Sequence, residues 1–207
     1  MAKQERAVRT RNALIESAAE LFDRDGFEVA SLATISARAG VSNGALHFHF
    51  SSKAALADAV AQAAAERLRQ IMAQDTEGAL QALIDATHDL IRGLSQDVVL
   101  RAGFDLSDNI EQPRPGEDLR RTWQSWVEDV LARADGEGAL ASGVSAEDVV
   151  TAVVAATVGF ETLGSQDERW LSHATLTRFW ALMLPRLVEA SSLDVLVAAG
   201  TRSSGVH

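Results

Sequence analysis

Cysteine and tyrosine are absent from the 207 residues, and proline occurs three times. Without cysteine, neither a disulfide framework nor a thiolate metal site is open to the chain. The fold must therefore come from a packed core, for which the length suffices as one medium domain or two small ones. No apolar run approaches the roughly 18 to 20 residues that a membrane-spanning helix needs. The opening MAKQERAVRT is basic but mixes charge with apolar residues, unlike a secretory signal. A soluble, cytoplasmic protein with no membrane partner is the expectation. Strand signals are missing as well: alternating apolar runs are absent, and alanine and leucine dominate segments with a 3.6-residue period. The chain reads as all-α.

What is present in excess is acidic charge. The net charge of −10 argues, for the chain as a whole, against a polyanionic partner. Its distribution reverses that inference. Residues 1–55 carry seven basic and six acidic side chains, a sum of +1, which leaves −11 for the remainder. Within Met1 to Arg11, four basic residues face only Glu5. The asymmetry describes a neutral-to-basic module on an acidic body.

Periodicity predicts a first helix over about Arg9 to Asp25, with Leu14, Ile15, Ala18, Leu21 and Phe22 on one stripe and Gly26 as its stop. Ser31 caps a second helix that ends at Gly40, and a short third runs from Ser42 to about Phe50. Ser51 or Ser52 caps an alanine-rich fourth helix to about Ala73. Further helices are predicted over Gly78 to Leu94, Val98 to Asn109 and Glu117 to Arg133, with a proline-broken loop at Gln112 to Gly116. After the glycine-rich stretch Asp135 to Gly143, Ser145-Ala146-Glu147-Asp148 has a capping-box arrangement that opens a helix to Leu163. The last long helix spans about Asp167 to Ala190, where Pro185 kinks it or marks its final turn. A disordered tail is predicted from Gly200.

The stretch GVSNGALHFHF, Gly40 to Phe50, admits competing readings. Gly40-Val41-Ser42-Asn43-Gly44 matches the G-x-S-x-G of a nucleophile elbow, which needs a strand before it and a parallel sheet beneath it. The residues before it are helical in pattern, and no set of strands is predicted. His47 and His49 would share a metal only on a strand, because two helical steps separate them by about 200°. The other histidines, His88, His173 and His207, stand alone in the sequence, so neither a catalytic nor a metal site is expected. On a helical wheel Leu46 and Phe50 anchor one side, while Gly44, His47 and Phe48 project from another. Helix-turn-helix recognition needs that geometry, since the first residues of the second helix must reach base edges in the major groove. Gly44 permits close backbone approach, Asn43 suits a base edge, Phe48 a thymine methyl, and Ser42 caps the helix and reaches a phosphate. Lys53 adds a phosphate contact.

The segment Thr10 to Leu56, with A-x-x-L-F-x-x-x-G-F at Ala18 to Phe27, SLATISARAGVS at Ser31 to Ser42 and GALHFHFSSKAAL at Gly44 to Leu56, resembles the DNA-binding domain of the tetracycline-repressor-like (TetR) regulators. That resemblance implies DNA-contacting positions at Ser42, Asn43, Gly44, His47, His49 and Lys53, and a phosphate contact at Thr34. Two residues depart from the family pattern: His47 stands where tyrosine is usual, and Asn43 where lysine or proline is frequent. Both bear on which operator is read.

In the body, VLRAGF at Val99 to Phe104, the proline-broken loop and Trp123 resemble the γ-butyrolactone and furan signal receptors of actinomycetes, in which a tryptophan on this helix lines the hormone pocket. The resemblance implies a pocket at Trp123, with Trp126, Leu100, Phe104, Val153 and Phe160 as candidate walls; ordinary core packing is the alternative for both tryptophans. The last two long helices, about 145–163 and 167–190, are too apolar all round for a monomer's surface and should pair with their copies in a homodimer.

The expected organisation is a helix-turn-helix domain over 1–55, a ligand-binding and dimerisation domain over 56–199 and a tail over 200–207. The expected function is a ligand-responsive repressor on a palindromic double-stranded operator, without cofactor or enzymatic activity, released by a small lipophilic molecule. The alternative is a helical ligand-binding protein that does not bind DNA.

Overall fold

Among the described residues, ten α-helices and one 3₁₀ turn form. The computed structural model of the chain describes residues 2–74, 76–107 and 118–201, with side chains described from Gln4 onward in the first helix. Among these residues every regular element is helical. The loop expected at Gln112 to Gly116, the predicted helix end at Asn109, the start at Glu117 and the tail 202–207 lie outside them.

Two compact units result: one comprises Met1–Leu68 and Asp97–Leu119, the other Arg69–Gln96 and Arg120–His207. In the first unit, α1 (Ala2–Asp25) starts a full two turns before the predicted Arg9. Its opening turns carry no apolar stripe, so periodicity does not reveal them; Glu5 there complements the helix dipole. The predicted stripe is the buried face: Leu14 and Ala18 are fully buried, and Ile15, Leu21 and Phe22 nearly so. Gly26, at φ +82°, ends the helix. The Ser31 hydroxyl accepts the Thr34 N–H at 3.1 Å and opens α2 (Leu32–Arg38). Gly40, at φ +67°, closes α2, with Gly40 N–H on Ala37 O at 3.2 Å and Val41 N–H on Ser36 O at 3.0 Å. This is a Schellman stop, which glycine accommodates without a Cβ penalty.

The third helix, α3 (Asn43–His49), begins where Ser42 accepts the Ala45 N–H at 3.2 Å. Three residues later Ser52 accepts the Ala55 N–H at 3.1 Å and starts α4 (Lys53–Met72). Against α1 packs α6 (Val98–Ser107), tied by the Arg101 guanidinium to Asp23 at 3.0 Å. At Gly103 α6 also meets α4: a Cβ there would lie 2.2 Å from Ala64 Cβ. The glycine of the VLRAGF stretch is thus a contact between two helix backbones.

The second unit is built on α5 (Ala79–Gln96), whose residues from Ala79 to Ile91 are all buried, polar ones included. Around it lie α7 (Leu119–Gly136), α8 (Ala146–Gly164), the 3₁₀ turn Glu168–Leu171, α9 (His173–Leu187) and the short α10 (Ala190–Leu193). Leu119 itself falls in the first unit. The capping box expected at Ser145 does not form: Ser145 occupies the N-cap position without a side-chain hydrogen bond. The single helix expected over 167–190 is two elements. Ser172 accepts the Thr175 N–H at 3.2 Å and restarts the helix at His173, a cap signal that the apolar pattern on both sides conceals. Pro185 lies in the last turn of α9.

After α10 the chain is strapped across α5 and α9. Gln81 Oε1 accepts the Val197 N–H at 2.9 Å, His88 Nε2 lies 3.0 Å from Ala198 O, and His173 Nε2 lies 2.8 Å from Ala199 O. Thr201 N–H donates to Asp85 Oδ1 at 2.8 Å, so Gly200 and Thr201 are positioned residues of this strap. His88 and His173, isolated in sequence, are brought together with ring centroids 4.6 Å apart.

Candidate nucleic-acid interface and apolar pocket

The candidate recognition surface is built by the Ser42 cap and two buried anchors. Leu46 and Phe50 are buried at 0% and 4% exposure, which fixes α3 on the first unit and turns its opposite face outward. Ser42, Asn43, Gly44, His47 and Phe48 are all exposed; Phe48, at 83%, is the most exposed large apolar side chain described. A lone aromatic ring left in water at a helix surface has no packing role within its own unit. His49 is half-buried, edge-on to Phe48 at 5.3 Å. Ser42 is therefore the cap of a helix preceded by a helix, and no strand stands before it to make a nucleophile elbow.

Asn43 has a partner that the sequence did not announce. The buried Ser36 hydroxyl lies 2.8 Å from Asn43 Oδ1 and 3.0 Å from Ala33 O, sharing its single proton between them. The amide oxygen of Asn43 is thereby fixed to α2, and its nitrogen has no hydrogen-bond partner among the described residues. Thr34 is exposed on α2 and its hydroxyl lies 2.8 Å from that of Ser31. Lys53 is half-buried and reaches back: its ammonium donates to Phe27 O at 2.8 Å and Glu28 O at 3.1 Å, 4.4 Å from the Phe27 ring centroid. That binding joins α4 to the turn after α1. Arg6 and Arg9, three residues apart on α1, are exposed and form no ion pair among the described residues. Extending α1 to Ala2 is what places them on a helical face.

The pocket candidates divide between the units. Leu100 and Phe104 lie on α6 in the first unit, buried at 1% and 3% exposure; Trp123, Trp126, Val153 and Phe160 lie in the second. There Trp123, 2% exposed, donates its indole N–H to Thr157 Oγ1 at 3.0 Å, and Thr157 in turn reaches Val153 O at 2.9 Å. Trp126 stacks on Trp123 at 5.1 Å and is half-buried. Phe160 belongs to a different cluster, 5.7 Å edge-on to Phe179 and 6.3 Å from Trp170. Beside them the Arg120 guanidinium holds Glu161 at 2.6 and 3.0 Å. Thr157 is a buried polar group, missed in the sequence although it lies one helical turn after Val153, on the buried face of α8.

The family model described as bacterial regulatory proteins of the tetR family matches residues 14–60, the span from the α1 stripe into α4. The chain is 28% identical to the crystal structure of a γ-butyrolactone receptor, an ArpA-like protein, with a TM-score of 0.78 over 94% of this chain and 96% of that one. Residues 14–60 therefore match the DNA-binding domain of the TetR family. A second solved relative, the TetR-family protein CprB of Streptomyces coelicolor in complex with its biological operator sequence, is 28% identical, with a TM-score of 0.78 over 95% of this chain and 97% of that one. The A-factor receptor protein of Streptomyces griseus is 36% identical over 137 residues, 64% of this chain, and the match spans 45% of that relative's length.

The residues beside the candidate sites that sequence reading missed are Ser36, Arg6, Arg9 and Thr157. Only Thr157 carried a local signal. No described helix is long and apolar enough to cross a membrane.

Proposed function

We propose that the protein is a cytoplasmic, non-enzymatic repressor that binds a palindromic operator as a homodimer and is released by a small lipophilic signal of the γ-butyrolactone or furan type. The observation that carries this reading is the outward face of α3, in which a capped helix N-terminus presents Asn43, Gly44, His47 and Phe48 while Leu46 and Phe50 hold its back. In this reading the Asn43 amide nitrogen and His47 meet base edges, Phe48 a thymine methyl, and Gly44 admits the DNA backbone. Ser42, Thr34, His49, Arg6 and Arg9 serve phosphates, and Lys53 does so with whatever donor capacity its two carbonyl contacts leave. Two recognition helices about 34 Å apart would read half-sites one helical turn apart. The resemblance to γ-butyrolactone receptors supports an effector site at Trp123 and Thr157, a polar pair amid apolar walls. Effector and operator would then weaken each other by one shared coupling factor.

A second reading, a ligand-binding protein without DNA binding, draws on Lys53, whose ammonium is already engaged by the Phe27 and Glu28 carbonyls. One titration separates the two. The duplex upstream of the protein's own gene is titrated at several salt concentrations, then with an alkyl γ-butyrolactone. A repressor making about six to ten phosphate contacts loses on the order of a thousandfold in affinity between about 50 and 200 mM salt. Absence of a specific complex at low salt assigns the protein to the second reading.

A further inference from the structure

Asn43 is the first residue of α3 and is exposed, yet one end of its side chain is bound inside the first unit. Its Oδ1 accepts from the Ser36 hydroxyl at 2.8 Å, and Ser36 on α2 is 4% exposed. Ser36 is itself held in place. Its hydroxyl also lies 3.0 Å from Ala33 O on α2, and its carbonyl accepts the Val41 N–H at 3.0 Å in the glycine stop that ends the helix. The Asn43 backbone is fixed from the other side. Ser42 caps α3 through the Ala45 N–H, and Ser42 O accepts the N–H of the fully buried Leu46 at 3.0 Å. With backbone and amide oxygen both held, the planar amide has one orientation, oxygen toward α2 and nitrogen away from it. That nitrogen has no hydrogen-bond partner among the described residues, so both its hydrogens are available to a ligand.

We propose that Ser36 is a positioning residue that makes Asn43 a donor-only reader, so that it selects guanine in the operator. This rests on the operator reading of α3 given above. An asparagine with a free amide pairs with adenine, donating to N7 and accepting from the N6 amino group. With its oxygen engaged by Ser36, Asn43 keeps only the donating half of that pair. Guanine presents two adjacent acceptors in the major groove, N7 and O6, which match the two amide hydrogens. The amino groups of adenine and cytosine would face a nitrogen that cannot accept from them, and thymine offers the single acceptor O4 beside its methyl group. Ser36, buried behind Asn43, touches no base and acts through the orientation of the amide.

Selection of bound duplexes from a randomised double-stranded library, with the full chain and its variants, reads the preference base by base. Asn43→Ala marks the position read by residue 43, as the one in each half-site whose preference collapses. There the unaltered chain is expected to choose guanine over adenine by about tenfold. Ser36→Ala releases the amide to turn and is expected to bring adenine within about twofold of guanine, with preferences at the other positions unchanged. A merely structural role for Ser36 would lower affinity for every duplex alike and leave the base preference as it was. That result overturns the assignment, as does any base other than guanine as the choice of the unaltered chain. Asn43→Asp, at an exposed position, keeps an oxygen for Ser36 but removes the donor, and decides the matter even if Ser36→Ala fails to fold. It is expected to exchange guanine for cytosine, whose amino group donates; retained guanine would overturn the assignment. If no form of the chain selects any duplex, the operator reading fails and this assignment with it, whereas selection with an unmoved preference in Ser36→Ala overturns the assignment alone.

Discussion

At the scale of single residues, the turn between α2 and α3 shows what a sequence discloses and what it conceals. Gly40 and Ser42 are readable because a stop and a cap are local chemistry. Ser36 is unreadable because its role exists only once α2 crosses α3 and brings its hydroxyl to Asn43. Lys53 reads in the sequence as a phosphate contact, yet its binding to the turn at Phe27 and Glu28 depends on a fold that joins residues 26 and 25 positions apart. Gly44 permits a clean separation of folding from recognition. A Cβ there would meet nothing nearer than Ser42 Oγ at 3.9 Å, and the position is helical. Gly44→Ala is therefore expected to raise stability by about 0.5 kcal/mol, because alanine loses less backbone entropy. Operator affinity should fall at the same time, since the methyl group would stand between helix and DNA. Thermal unfolding and a DNA titration on the same sample read both effects; unchanged DNA binding would remove Gly44 from the interface.

Whole elements were legible where an apolar stripe met a cap, as in α2 and α3, or where the stripe was long, as in α5, and obscure where these were missing. The first two turns of α1 have no stripe, and the break before α9 is hidden because residues on both sides are apolar. The strap was the least legible of all: its partners on α5 lie some hundred residues away in sequence, and nothing local predicts that Gln81, Asp85 and His88 will bind it. It should be acid-sensitive. Burial lowers the pKa of His88 below the usual histidine value; the nearby His173 on α9 adds to that, while the Ala198 carbonyl, Asp85 and Asp89 oppose it. The unfolded chain then takes up a proton at a higher pH than the folded one. The stabilisation is complete above the ordinary histidine value and is lost as pH falls from there toward the folded value. The unfolding temperature is expected to drop between about pH 7.5 and 5.5, and His88→Gln to flatten that slope. An equal slope in the variant would place the acid sensitivity elsewhere.

For the molecule as a whole, the decisive feature is apolar surface. Leu182 is 75% exposed on α9, Leu163 41% on α8 and Trp170 40% on the 3₁₀ turn. Val150, Val154 and Val158 on α8 are half-buried at four-residue spacing. Single exposed leucines are ordinary, but a helix pair with this many is suited to a copy of itself. Leu182→Glu is expected to convert the dimer to monomer in sedimentation velocity and to weaken operator binding by an order of magnitude or more, because the second half-site is lost. A dimer that persists would exclude α9 as its seam. Finally, the two fully buried tryptophans share one arrangement: Trp123 donates to Thr157 and Trp180 to Thr87, each threonine lying on a neighbouring helix. With no tyrosine in the chain and all four tryptophans between residues 120 and 207, indole emission comes from the second unit alone. The first unit has neither tryptophan nor tyrosine, so tryptophan emission reports events in the body directly, while DNA binding must be followed through a label on the duplex.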